Sequence, residues 1–171
     1  MTPSAPPRPW RVLFLCTGNS ARSIIAESLL RHWGGDAFEA HSAGSRPAED
    51  IQPMAREVLA KAGLPVAGLH SKSMARYSGP GAEPMDFVIT VCDRAAEECP
   101  VLPGQPITAH WGVPDPAAVE GDAETRRQAY RRVLTDFERR LKLFINLPLA
   151  SLDRLARQTR LRELGDSEGT A

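Results

Sequence analysis

Excess charge is the first thing this sequence lacks. Its 21 lysines and arginines offset 21 aspartates and glutamates, so the formal net charge is zero. A balanced chain has no long-range pull on nucleic acid or on an anionic membrane, and neither is expected as a partner. Any anion site must therefore be local. Long apolar runs are missing too: none reaches the length that crosses a bilayer, and the first residues carry no secretory pattern. The expected compartment is the cytoplasm. Cysteine is scarce, with Cys16, Cys92 and Cys99 alone. An odd number in a cytoplasmic chain argues against a static disulfide framework. Zinc is a poor fit, because no Cys-x2-Cys pair is present and the histidines are scattered at His32, His41, His70 and His110. No metal and no cofactor are expected, and thiol redox chemistry is the better first reading. Internal repeats and low-complexity tracts are also absent.

What is present is enough for one domain. The chain has 171 residues and 42% of them are apolar, which supports a real core. Residues 1–10, rich in proline, read as a disordered lead-in, residues 11–147 as the domain, and 148–171 as a helical extension with a tail. Apolar runs at 11–15, 38–42, 87–91 and 107–111 read as strands. Helices are expected from about Ser20 to Trp33, over 52–62, briefly over 71–76, in a short turn at 95–98, over 122–146 and over 149–164. The first should bury Ile24, Ile25, Leu29, Leu30 and Trp33, and the second Met54, Val58 and Leu59. The long one carries Tyr130, Val133, Leu134, Phe137, Leu141, Phe144 and Ile145 at helical spacing. The last places Leu149, Leu152, Leu155 and Ala156 on one side, a stripe suited to packing on the domain or to self-association. Residues 165–171 are expected to be disordered. Strands alternating with helices predict a small parallel four-stranded α/β sheet flanked by helices on both faces, with an extra C-terminal helix.

The chemistry centres on Cys16-Thr17-Gly18-Asn19-Ser20-Ala21-Arg22-Ser23. This stretch joins an apolar strand to an amphipathic helix. Loop N–H groups and a helix N-terminus at such a junction converge on a tetrahedral oxyanion. Arg22 adds a charged fork for two of its oxygens. Thr17, Gly18, Asn19, Ser20, Ala21, Arg22 and Ser23 are thus the candidate substrate-binding residues. The same field favours a thiolate, so Cys16 is expected to be a nucleophile at neutral pH. Ligands of parallel sheets bind at the carboxyl ends of the strands. Cys16, Ser42 and Cys92 end three strands, and 111–115 follows the fourth, so these residues should share one edge.

Four motifs appear in order: the Cys16 loop with Ala26-Glu27 behind it; Ser42-Ala43-Gly44; Val91-Cys92 with Cys99-Pro100-Val101-Leu102-Pro103; and His110-Trp111-Gly112 leading to Asp115-Pro116. Over roughly residues 11–145 the sequence resembles the arsenate reductases built on the low-molecular-weight protein-tyrosine phosphatase fold, of the thioredoxin-coupled type. The resemblance implies an enzyme that reduces arsenate to arsenite, with phosphate or sulfate as mimics of the substrate. Its implied catalytic residues are Cys16, Arg22, Cys92, Cys99 and Asp115. Cys16 attacks arsenic, and Asp115 is the general acid. Cys92 and then Cys99 carry the oxidation away as a disulfide that thioredoxin or a similar dithiol protein reduces. Positions seven apart on a fixed helix stand about 10 Å from each other, so the implied Cys92–Cys99 bond demands local unwinding. Ser23 is expected to hydrogen-bond the Cys16 thiolate, and Asn19 to hold the loop in shape with Ser42.

Two departures from the family pattern stand out. Ala21 occupies a position where many thioredoxin-linked members carry a cysteine that is not part of the relay. Some relatives bind potassium through Asn, Glu, Ser and Asp; Asn19, Glu27 and Ser42 match, but Ser73 stands at the Asp position. The alternative enzyme is a low-molecular-weight protein-tyrosine phosphatase hydrolysing aryl phosphates with Cys16, Arg22 and Asp115. Ala117 and Ala118, however, offer no aromatic wall after Asp-Pro. A non-enzymatic oxyanion or oxidation sensor is a third reading. Asp115 also reads as a plain turn initiator, and His110 and Trp111 as packing residues. No chemistry is assigned to His41 or His70.

Overall fold

The computed structural model describes residues 8–92 and 102–166. Four strands, β1 (Trp10–Cys16), β2 (Phe38–Gly44), β3 (Phe87–Thr90) and β4 (Ile107–His110), form a wholly parallel sheet in the order β2-β1-β3-β4. Five helices occur among the described residues: α1 (Arg22–Gly34), α2 (Pro53–Lys61), α3 (Ala75–Ser78), α4 (Ala123–Ile145) and α5 (Arg154–Asp166). Val12, Leu13, Phe14 and Leu15 are all fully buried, as are Phe87, Val88 and Ile89. Consecutive strand residues point to opposite faces, so both faces of β1 and β3 are covered. Helix α1 packs on β1, β2 and α4, and α5 packs on β4. No helix among the described residues is long and apolar enough to cross a membrane.

The strands run close to their expected spans. The departures lie in the helices. Trp33, expected inside, is 40% exposed. It sits in the last turn of α1, past the buried run from Ser23 to Leu30, and the Lys142 ammonium lies 4.2 Å over its ring. Met54 is only half-buried. The short third helix falls at Ala75–Ser78 instead of 71–76, because Lys72 to Met74 bond to Gly44 as an added bridge.

The expected helix over 149–164 is broken. A 3-10 turn, Leu149–Ser151, precedes Asp153, whose carboxylate accepts from Ala156 N–H at 2.8 Å and starts α5 afresh. This restart resets the helical phase. Leu155, placed on the inward stripe by sequence, is 76% exposed, and Leu161 is buried instead. α5 also continues through Gly165 and Asp166, two residues expected to be disordered. Gly165 lies flat on the sheet, where a Cβ would run into the His110 carbonyl oxygen. The expected turn at 95–98, Cys99 and most of the N-terminal lead-in and C-terminal tail lie outside the described residues.

Candidate active site

The site forms where β1 ends. Cys16 pairs with Gly44 of β2, and Val91 N–H donates to Leu15 O at 2.9 Å, which brings Cys92 in on the other side. Both cysteines are buried. Sheet order explains this meeting, since β3 lies directly beside β1.

The loop between Cys16 and α1 is turned inside out. Its carbonyls face the scaffold: Cys16 O accepts from Ser45 N–H, Thr17 O from Arg46, Gly18 O from Ala48 and Ser20 O from Gln52, at 2.8–3.3 Å. Asn19 O accepts from Ser71 Oγ at 2.7 Å. With the carbonyls held outward, the N–H groups are left for the concave side. Among the described residues, no acceptor bonds to the N–H groups of Gly18, Asn19, Ser20 or Ala21. N–H groups left without acceptors are what an anion nest is built from.

Asn19 maintains this shape. It takes a left-handed conformation with φ 48°, and its side chain bonds three ways. Nδ2 donates to Ser23 Oγ at 2.8 Å and to Ser42 Oγ at 2.9 Å, while Oδ1 accepts from Lys72 N–H at 2.9 Å. Ser23 is therefore tied to Asn19, and no hydrogen bond joins it to Cys16 among the described residues. The expected Ser23–Cys16 contact is corrected accordingly.

The ionisation of Cys16 also differs from expectation. The neighbouring Cys92 pushes the Cys16 thiol well above its ordinary range, and burial adds to the rise. The Arg22 charge and the Thr17 N–H pull the other way without reversing it. The sequence reading counted the loop and Arg22 but not the second sulfur. Thr17 Oγ1 lies 3.4 Å from Cys92 Sγ, a contact that motif reading missed.

Arg22 closes the other side. Its Nη1 donates to Val113 O at 3.2 Å, and Nη2 lies 3.9 Å from Asp115 Oδ2. Asp115 is half-exposed, and its Oδ1 accepts from Ala117 N–H at 3.0 Å, capping a 3-10 turn at Pro116–Ala118. Asp115 is thus both a turn cap and a carboxyl group facing Arg22. His110 and Trp111 shape the base: His110 Nδ1 pairs with Thr90 Oγ1 at 2.8 Å, and the buried Trp111 indole donates to Leu161 O at 2.9 Å. Cys16, Arg22, Cys92 and Asp115 therefore share one edge of the sheet, with Cys99 outside the described residues.

Beneath the loop lies a network that sequence reasoning saw only in part. Buried Glu27 accepts from Ser42 Oγ and pairs with Arg31. The Lys72 ammonium stands 3.6 Å from Glu27 Oε1, 3.4 Å from Ser42 Oγ and 2.8 Å from His70 O. A fixed positive charge thus already sits among Asn19, Glu27 and Ser42. Lys72 was overlooked because residues 68–84 have no periodicity to mark an inward position. No cluster of three or more His, Cys, Asp or Glu suited to a metal occurs among the described residues. Lys72→Met leaves the Glu27 carboxylate with one cation fewer, and it should cost about 1–3 kcal/mol in urea-unfolding stability.

Residues 11–160 match the low-molecular-weight phosphotyrosine protein phosphatase family. The chain belongs to that family. An arsenate reductase of Shouchella clausii is 36% identical over 133 residues, covering 78% of this chain and 93% of its own length. A solved arsenate reductase of Archaeoglobus fulgidus superposes with a TM-score of 0.63 at 30% identity, covering 80% of this chain and 99% of that one. A thioredoxin-dependent arsenate reductase of Corynebacterium glutamicum gives a TM-score of 0.55 at 28% identity, covering 82% and 65%.

Proposed function

We propose that this protein is a cytoplasmic arsenate reductase that works by a Cys16/Cys92/Cys99 thiol relay, its final disulfide being reduced by thioredoxin or a similar dithiol protein. The observation that carries the reading is the second sulfur. Hydrolysis of a phosphate ester through Cys16, Arg22 and Asp115 needs no other thiol, yet Cys92 follows β3 beside the Cys16 end of β1, its Sγ 3.4 Å from Thr17 Oγ1 of the Cys16 loop.

Each step has a group to perform it. Arsenate sits on the N–H groups of 18–21 while Arg22 exchanges Val113 O for the oxyanion. The bound arsenate dianion takes up the Cys16 thiol proton, and the Cys16 sulfur attacks arsenic, forming a sulfur–arsenic bond. The arsenic–oxygen bond opposite breaks, and Asp115 protonates the departing oxygen so that water leaves. Cys92 thiolate then attacks the Cys16 sulfur. The sulfur–arsenic electron pair passes to arsenic, arsenite leaves, and a Cys16–Cys92 disulfide remains. Cys99 thiolate attacks Cys92, giving Cys92–Cys99 and freeing Cys16. Two electrons from the external dithiol restore the pair.

Thiol counting after one equivalent of arsenate, without reductant, tests the relay. Wild type should lose two free thiols per chain, and the oxidised pair should map to Cys92 and Cys99. In Cys99→Ser the disulfide should stop at Cys16–Cys92. Retention of all three thiols in wild type overturns the reading. The phosphatase alternative rests on the matched family and on Cys16, Arg22 and Asp115. It predicts aryl-phosphate hydrolysis that Cys92→Ser and Cys99→Ser leave intact.

A further inference from the structure

The C-terminal helix α5 carries residues past the stretch that matches the family, which ends at 160. Its position is tightly defined. Arg154 donates to Gln105 O at 2.8 Å, Gln158 to Thr108 O at 2.6 Å, and the Trp111 indole to Leu161 O at 2.9 Å. Leu161 is wholly buried, and Gly165 is pressed onto His110. With these contacts fixed, the next positions on the helix face the acid loop. Arg162 and Asp166 line a cavity of about 740 Å³ whose other walls include Arg22, His110 and Asp115.

Arg162 forms no ion pair or hydrogen bond among the described residues, whereas Arg22 is engaged with Val113 O and Asp115. The cavity therefore holds one arginine at the oxyanion loop and a second, unengaged one on its outer wall. The chain as a whole is neutral, so attraction of a dianion must come from local charge. The geometry points to Arg162 as a second oxyanion-binding side chain, which captures the inorganic oxyanion at the cavity wall and delivers it to Arg22 and the loop. The substrate named here rests on the arsenate reading above; the binding role does not.

Arg162 acts before the chemistry, so its loss affects capture and not turnover. Arg162→Ala should weaken inorganic phosphate binding, measured by calorimetry at low salt, by about three- to fivefold. It should raise the arsenate KM by a similar factor and leave kcat unchanged. Arg162→Lys should recover most of the loss, and high salt should erase the difference between variants. Asp166→Asn removes a negative charge from the same cavity and should tighten phosphate binding. Arg162 is exposed, so unchanged thermal unfolding of the alanine variant will separate binding from folding. Equal phosphate affinity of wild type and Arg162→Ala at low salt overturns the proposal, as does a fall in kcat with unchanged KM. A wild type that binds phosphate but fails to reduce arsenate would defeat the reductase reading alone, and the phosphate comparison would still decide the role of Arg162.

Discussion

Cys92→Ala should abolish steady-state arsenate reduction, lowering the rate by about 10³-fold or more, while making Cys16 easier to ionise. The two effects run in opposite directions for one reason. Cys92 is the leading cause that raises the Cys16 thiol, ahead of burial, so removing it leaves the Arg22 charge and the Thr17 N–H less opposed. The sign follows: with a raising influence gone, the Cys16 pKa falls and more thiolate exists at neutral pH. Alkylation of Cys16 by iodoacetamide at pH 7 should accelerate, and thiolate absorbance should appear at lower pH. Turnover is lost nonetheless, because no second sulfur remains to take the Cys16–arsenic adduct apart. A variant that reduces arsenate at the wild-type rate overturns the relay. A Cys16 that alkylates more slowly overturns the electrostatic account of the resting thiol. The two outcomes are independent.

That behaviour separates the roles of the two halves of the site. The Cys16 loop and Arg22 serve the phosphatase and the reductase readings alike. The neighbouring Cys92 raises the resting Cys16 thiol, and in the proposed relay it is also the group that would convert a covalent adduct into reduction.

Most of the sheet was legible because its strands are short apolar runs with no competing pattern. Val12 to Leu15 and Phe87 to Ile89 are buried on both faces, so only their length and flanking turns were needed to assign them. The placement of Cys16, Ser42 and Cys92 at one edge followed from parallel strands. The pairing of the two sulfurs did not, since it depends on β3 lying next to β1, and sheet order leaves no mark in either strand. Lys72 stayed hidden because its position is set by backbone bonds to Gly44 and Asn19 in an irregular segment. The C-terminal stripe misled for a local reason: Asp153 starts a new helix, and a helix restarted a few residues late turns Leu155 to solvent and Leu161 inward. Periodicity counted across that cap mixes two phases.

Gly44→Ala should be as damaging as loss of a catalytic side chain, although Gly44 carries no chemistry. A Cβ at this position would lie 2.5 Å from Thr17 O and 3.1 Å from Asn19 N, both backbone atoms of the oxyanion loop. Neither partner can retreat. Thr17 O is bonded to Arg46 N–H, and Asn19 is held by Ser23, Ser42, Ser71 and Lys72. Gly44 is equally fixed: it pairs with Cys16 across the sheet, donates to Lys72 O at 2.9 Å and accepts from Met74 N–H at 3.0 Å. The extra methyl must therefore displace the loop itself, and with it the N–H groups of 18–21. Overpacking of this kind costs about 1–3 kcal/mol of stability. A loop moved by about 1 Å costs about 10²-fold in arsenate kcat/KM. Gly79→Ala is the matched control, since a Cβ there meets only Ala75 O, at an ordinary 3.4 Å. Phosphate binding and urea unfolding should separate the two variants, with Gly79→Ala near wild type on both. If Gly44→Ala binds phosphate as tightly as Gly79→Ala, the close approach of β2 is not what shapes the nest.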